Sequence, residues 1–104
     1  MSPEPSAKVP SIGRIVHYTL SQQDADYING RRTENGQPHI GNRCAAGNEY
    51  PAVIVAVFGS APSWPSNLQV FLDGEDQFWG TSRHVGEPGK AGTWHWPEFV
   101  PPTA

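Results

Sequence analysis

Four histidines, one cysteine, seven basic and ten acidic side chains are the chemistry this chain has to work with. His17, His39, His84, His95 and Cys44 fall at none of the spacings typical of zinc: there is no CxxC, HxxxH or HExxH. No GxSxG frames a serine nucleophile. Asp73, Glu75 and Asp76 cluster, but in an Asp-Gly-Glu-Asp turn where solvated carboxylates are expected rather than a catalytic pair. The residues point to no catalytic group, no metal and no cofactor.

Two constellations offer binding chemistry instead. Trp94-His95-Trp96, as a strand, sets both indoles on one face and the imidazole on the other. Paired indoles can be core, or a wall on which a base stacks for about 1–3 kcal/mol. Arg31-Arg32 closes a candidate helix and leads into a loop carrying His39 and Asn42. Guanidinium forks suit phosphate, although a helix C-terminus favours cations in any case. The expected ligand-binding set is Arg31, Arg32, His39 and Asn42 for phosphate, with Trp79, Trp94, Trp96 and Tyr18 as aromatic surface.

These residues need elements to position them. The one stretch apolar on both alternating faces is Pro51–Gly59, with Val53, Val55 and Val57 on one side and Ile54, Ala56 and Phe58 on the other. Its β-branched content predicts a central strand covered on both faces, with Ile54 and Val55 both core. Before it, Ile12–Leu20 reads as a strand and Gln22–Arg32 as a helix, opened by Ser21 with Asp24 in a capping box. Residues 33–50 form a long polar loop with Asn-Gly at 35–36. After it, Asn67–Leu72 and Gln77–Val85 pair across the Asp73–Asp76 turn, and Thr93–Trp96 is a last short strand ending at Pro97.

The expected class is α+β: a small, strongly curved antiparallel sheet or SH3-like barrel of about five strands, with one helix between strands 1 and 2. An open sheet backed by the helix and completed by dimerisation is the alternative. The 104 residues make one domain over 12–98, between Pro-rich tails at 1–11 and 99–104. With 37% apolar residues, sharing a sheet edge or the Trp faces favours a homo-oligomer. The net charge of −3 argues against general nucleic-acid binding. Residues 1–11 lack the apolar core of a signal peptide, and no run is long enough to span a membrane, so a soluble intracellular protein is expected. Cys44 alone makes no internal disulfide.

Gly13-Arg-Ile-Val-His-Tyr-Thr-Leu20, Asp24–Asn29 with Arg31-Arg32, Asn67–Gly74 with Phe78-Trp79, and Gly92-Thr-Trp-His-Trp-Pro97 together resemble a family of small accessory proteins of actinobacterial phages. The resemblance covers most of residues 12–98. It implies a phage origin and a dispensable role in the cytoplasm of the infected bacterial host, and it brings no catalytic residues. Accessory proteins of this kind include anti-defence sponges that sequester nucleotide-derived immune signals. On that basis the leading expectation is a non-enzymatic homo-oligomer capturing a small phosphate-bearing nucleotide, such as a cyclic oligonucleotide or an ADP-ribose derivative. Next comes a protein-interaction module, either a minor virion component or an inhibitor of a host enzyme. Last is a hydrolase of nucleotide signals using His17 or His95 as general base.

Overall fold

Five strands and one helix make up the regular structure of residues 8–98, the part of the chain that the computed structural model describes. The tails expected at 1–11 and 99–104 lie mostly outside the described residues. In chain order the elements are β1 (Ile15–Thr19), α1 (Gln22–Glu34), β2 (Glu49–Val57), β3 (Ser66–Phe71), β4 (Gln77–Arg83) and β5 (Trp94–His95). The sheet is antiparallel with strand order β4-β3-β2-β1-β5. The class is α+β, with the helix between the first two strands as its capping signals require.

The sheet does not close into a barrel. Its edges are β4 and β5, and a single parallel bridge, Val85 to Trp94, reaches across the gap between them. The helix does the covering that closure would otherwise provide. Ser21 caps it, its hydroxyl accepting from the Asp24 N–H while the Asp24 carboxylate accepts from the Ser21 N–H. The helix runs two residues past the expected Arg32, to Glu34, and ends at Asn35 followed by Gly36 at φ +68°. No described helix is long and apolar enough to cross a membrane.

One face of the sheet is core. Val16, Tyr18, Ala52, Ile54, Leu68, Val70, Phe78 and Trp94 lie against Ala25 and Ile28 of the helix, with Leu20, Leu72 and Cys44 beside them. Side chains of the Ile or Leu size each contribute roughly 1.5–3 kcal/mol when fully buried.

The central strand is not buried on both faces. Ile54 is fully buried, whereas Val55 is 38% exposed and Phe58 is exposed beyond the strand. The reason is a count of layers: the chain supplies one helix, and on the opposite face the side chains of β2, β3 and β4 reach solvent. A β-bulge also breaks the expected alternation. Ile54 pairs with Leu68 but Ala56 pairs with Asn67, so two residues of β2 oppose one of β3. The shift turns Val57 toward the core, away from the face that Val53 occupies.

A second bulge places one extra residue in β4, between the pairs Leu68–Gly80 and Ser66–Arg83. Ser82 takes φ +52° there, held by its N–H donating to Asn67 Oδ1 at 2.8 Å. Beyond the bulge Arg83 turns inward, where its Nη2 donates to Asp24 Oδ1 at 2.9 Å. Tyr18 donates its hydroxyl to the other oxygen of Asp24, so cap, strand and bulge meet on one carboxylate. Burial first, and then that hydrogen bond, push the Tyr18 hydroxyl well above its ordinary pKa.

Candidate functional site

The face of the sheet turned away from the helix carries four of the exposed large apolar side chains, Ile15, Val55, Phe71 and Trp79. In the ladder Ile15 stands opposite Val53, Val53 opposite Gln69, and Gln69 opposite Trp79. This row crosses four strands without a charged side chain. Ile15 is 60% exposed and Trp79 is 61% exposed. Phe71, two residues along β3 from Gln69 and so on the same face, is also exposed, as is Val55 at the bulge. A face carrying several exposed large apolar side chains marks an interaction surface more often than a scattered exposed Leu or Val does.

Next to this row, on the same face, three strands bring together side chains far apart in sequence. His17 of β1 pairs with His95 of β5 on one side and with Pro51 of β2 on the other. Glu49, two residues before Pro51, therefore projects from the same face. His17 Nδ1 lies 2.9 Å from Glu49 Oε2, and His95 Nε2 lies 3.5 Å from Glu49 Oε1. The two imidazoles meet edge to face at 5.7 Å. His95 is buried while His17 and Glu49 reach solvent. Trp94-His95-Trp96 does place its imidazole opposite its indoles, but Glu49 was hidden in the sequence at the end of the polar loop. Only the pairing of β1 with both β2 and β5 exposes the cluster. A search by local spacing cannot find ligands at 17, 49 and 95.

The residues expected to bind a nucleotide are distributed over the molecule. Arg31, Arg32 and Asn42 do come together, at the turn between β3 and β4, where their hydrogen bonds go to the protein itself. Arg31 Nη2 donates to Asp76 Oδ2 at 2.6 Å and to the Gln77 carbonyl at 3.1 Å. Arg32, buried, donates from Nε to the same Asp76 oxygen at 3.1 Å and from Nη1 to the Asn42 carbonyl at 3.0 Å. Asn42 donates its amide to Asp73. Asp76 is thus a desolvated ion-pair partner, correcting the expectation of a solvated turn carboxylate. Burial alone would raise its pKa. Hydrogen bonds from Arg32, Arg31 and the Gln77 N–H outweigh that and hold it below the ordinary 3.8.

The concavity beside Arg32, lined by Asn29, Arg32, Thr33, Pro38 and Arg43, measures about 60 Å³. Ligand pockets usually run to several hundred Å³, roughly 300–1,000. His39 is exposed in the polar loop. Tyr18 and Trp94 are fully buried, Trp94 donating Nε1–H to the Arg83 carbonyl at 3.0 Å. Trp96 is half-buried, edge-on to Trp94 at 5.3 Å. Trp79 stands on the opposite face of the sheet from Tyr18 and Trp94.

The long loop owes its order to the same turn. Gly41 and Gly74 form a bridge, and a Cβ on Gly41 would come within 2.6 Å of the Asp73 carbonyl. Asn42 N–H donates to the Asp73 carbonyl at 2.8 Å, and Glu75 N–H to the Ile40 carbonyl at 2.7 Å. Compared with protein-family models, with curated proteins and with solved structures, the chain matches none of them.

Proposed function

We propose that this protein is a non-catalytic interaction module whose docking surface is the uncovered face of its sheet, and that the occupant is the same face of a second copy. The observation that carries this reading is the uncharged row Ile15–Val53–Gln69–Trp79. A two-fold axis near its middle sets Trp79 of one copy on Ile15 of the other and Gln69 on Val53, a self-complementary arrangement. With a net charge of −3 on each copy, an uncharged row is where two like-charged molecules approach at least cost. Four strands of 5, 9, 6 and 7 residues, about 4.8 Å apart with residues rising about 3.3 Å each, present roughly 400 Å² of face. That is about half of the ~800 Å² per partner of a standard interface, the range of a weak, concentration-dependent pair. The open sheet then gains its second covering layer from its twin.

Sedimentation and light scattering test this. The expected mass is twice 11.3 kDa, falling to the monomer in Trp79→Asp and Ile15→Asp. A parent protein that stays monomeric up to about 1 mM overturns the pairing.

A second reading, capture of a phosphate-bearing nucleotide in an infected cell, is favoured by one feature. The Arg14 guanidinium and the Lys8 ammonium stand over the Trp96 ring at 5.3 and 5.4 Å from its centroid. Among the described residues neither pairs with a carboxylate. Two cations stacked on a half-buried indole supply the positive charge that a phosphate group requires. Incubation with cyclic dinucleotides and ADP-ribose derivatives, then heat release and chromatography, is expected to return intact ligand from the parent and none from Arg14→Ala/Trp96→Ala. Equal retention by both, or retention by neither, removes this reading.

A further inference from the structure

We propose that His17, Glu49 and His95 form a binding site for a divalent transition-metal ion of the zinc, cobalt or nickel type. All three offer a ligand atom within 4.8 Å of the others. Metal bonds to imidazole nitrogen and carboxylate oxygen are about 2.0–2.2 Å long, so donors on one ion sit roughly 3–3.5 Å apart. Glu49 Oε2 lies 2.9 Å from His17 Nδ1 and Glu49 Oε1 lies 3.5 Å from His95 Nε2, so each carboxylate oxygen stands at donor spacing from one imidazole. Two neutral nitrogens and one carboxylate are a borderline donor set, suited to zinc and its neighbours rather than to magnesium or calcium, which take oxygen.

Three features distinguish the cluster from a chance surface contact. The ligands are anchored on three adjacent, hydrogen-bonded strands, so their spacing is set by ladder register and not by a mobile loop. His95 is buried and its Nδ1 has no hydrogen-bond partner among the described residues, which leaves Nε2, already turned toward Glu49, as its coordinating atom. Thr19, directly across from Glu49 in the ladder, carries a buried hydroxyl that also lacks a partner. The exposed sides of His17 and Glu49 leave room for water or an exogenous ligand to complete the coordination.

The test uses untagged full-length protein stripped with chelator and titrated with Co²⁺, then with Zn²⁺ in competition. Expected are one bound equivalent per chain, visible cobalt bands of a four- or five-coordinate ion, and their loss on adding Zn²⁺. Glu49→Gln, His17→Ala and His95→Ala should each weaken cobalt binding by more than about tenfold. A His39→Ala/His84→Ala double variant should bind as the parent does. Should His95→Ala fail to fold, the other two variants, at solvent-reaching positions, decide. The site is refuted if the parent does not saturate at one equivalent, if Glu49→Gln and His17→Ala bind like the parent, or if the His39/His84 variant loses the ion.

Discussion

The inner and outer faces of this sheet alternate residue by residue along the same strands, yet they have been built to different rules. The inner face, from Val16 to Trp94, is closed by the helix and then locked by ionic and hydrogen-bonded groups at its margins: Asp24 with Tyr18 and Arg83, and Asp76 with Arg31 and Arg32. The outer face sets exposed Ile15, Val55, Phe71 and Trp79 among Gln69, His17 and Glu49, and across β2, β3 and β4 its side chains reach solvent. What separates the two faces is the polar share of the outer one together with the lack of a second covering layer over its middle strands. Arg31 and Arg32, which the sequence offers to a ligand, hydrogen-bond to the protein at the margin of the covered face. Val55, which the sequence offers to the core, is left exposed on the other face.

The sharpest way to break this comparison is a matched pair of substitutions. Ile54→Asp should prevent folding, because an unpaired carboxylate in a fully buried site costs several kcal/mol, on the order of 5 or more. Val55→Asp, one residue along, should leave the monomer folded with its melting temperature within a few degrees, about 5 °C at most. Equal loss of soluble protein in both would mean that the outer face is covered after all.

Asp76→Ala comes next in size. It leaves Arg32 buried without its carboxylate and should cost about 3 kcal/mol in urea unfolding. Arg32→Ala should be destabilising too, whereas a ligand-facing arginine would change affinity and leave stability alone. The pH dependence has a defined sign. The folded-state pKa of Asp76 is depressed, so its stabilisation is fully present above the unfolded carboxylate value. It is lost as pH falls below about 4, through the folded value. The stability gap between parent and Asp76→Asn should therefore be constant at neutral pH and shrink in acid.

Ser21→Ala removes one half of the capping box and should cost about 1 kcal/mol. The smallest effect is expected at the most exposed aromatic: Trp79→Ala should change monomer stability by less than about 0.5 kcal/mol. A larger loss would show that Trp79 already has a packing partner within its own chain.

Much of the fold was legible. Ser21 and Asp24 announce the helix start because a capping box uses only four consecutive residues. Leu68, Val70 and Leu72 announce an inward face because a strand repeats every two. The Arg pair was legible as a helix end but not as a lock, since Asp76 lies more than forty residues away. The strand at 51–59 was legible as a strand, but apolar residues on both its sides suit two buried faces and the fold buries only one. Apolarity says that a face can be covered, not that the chain has anything to cover it with.

By itself, then, the sequence determined what depends on neighbours along the chain: the helix and its cap, the strand periods, the turn at Asp73–Asp76, and the opposition of His95 to Trp94 and Trp96. Tertiary structure decided what depends on neighbours across it. The two bulges, which turn Val57 and Arg83 inward, come from ladder register between strands. The meeting of His17, Glu49 and His95 follows from β1 lying between β2 and β5. Covalent spacing limits which residues within a segment can share a face, whereas hydrogen-bond pairing between distant segments chooses which of those faces meet.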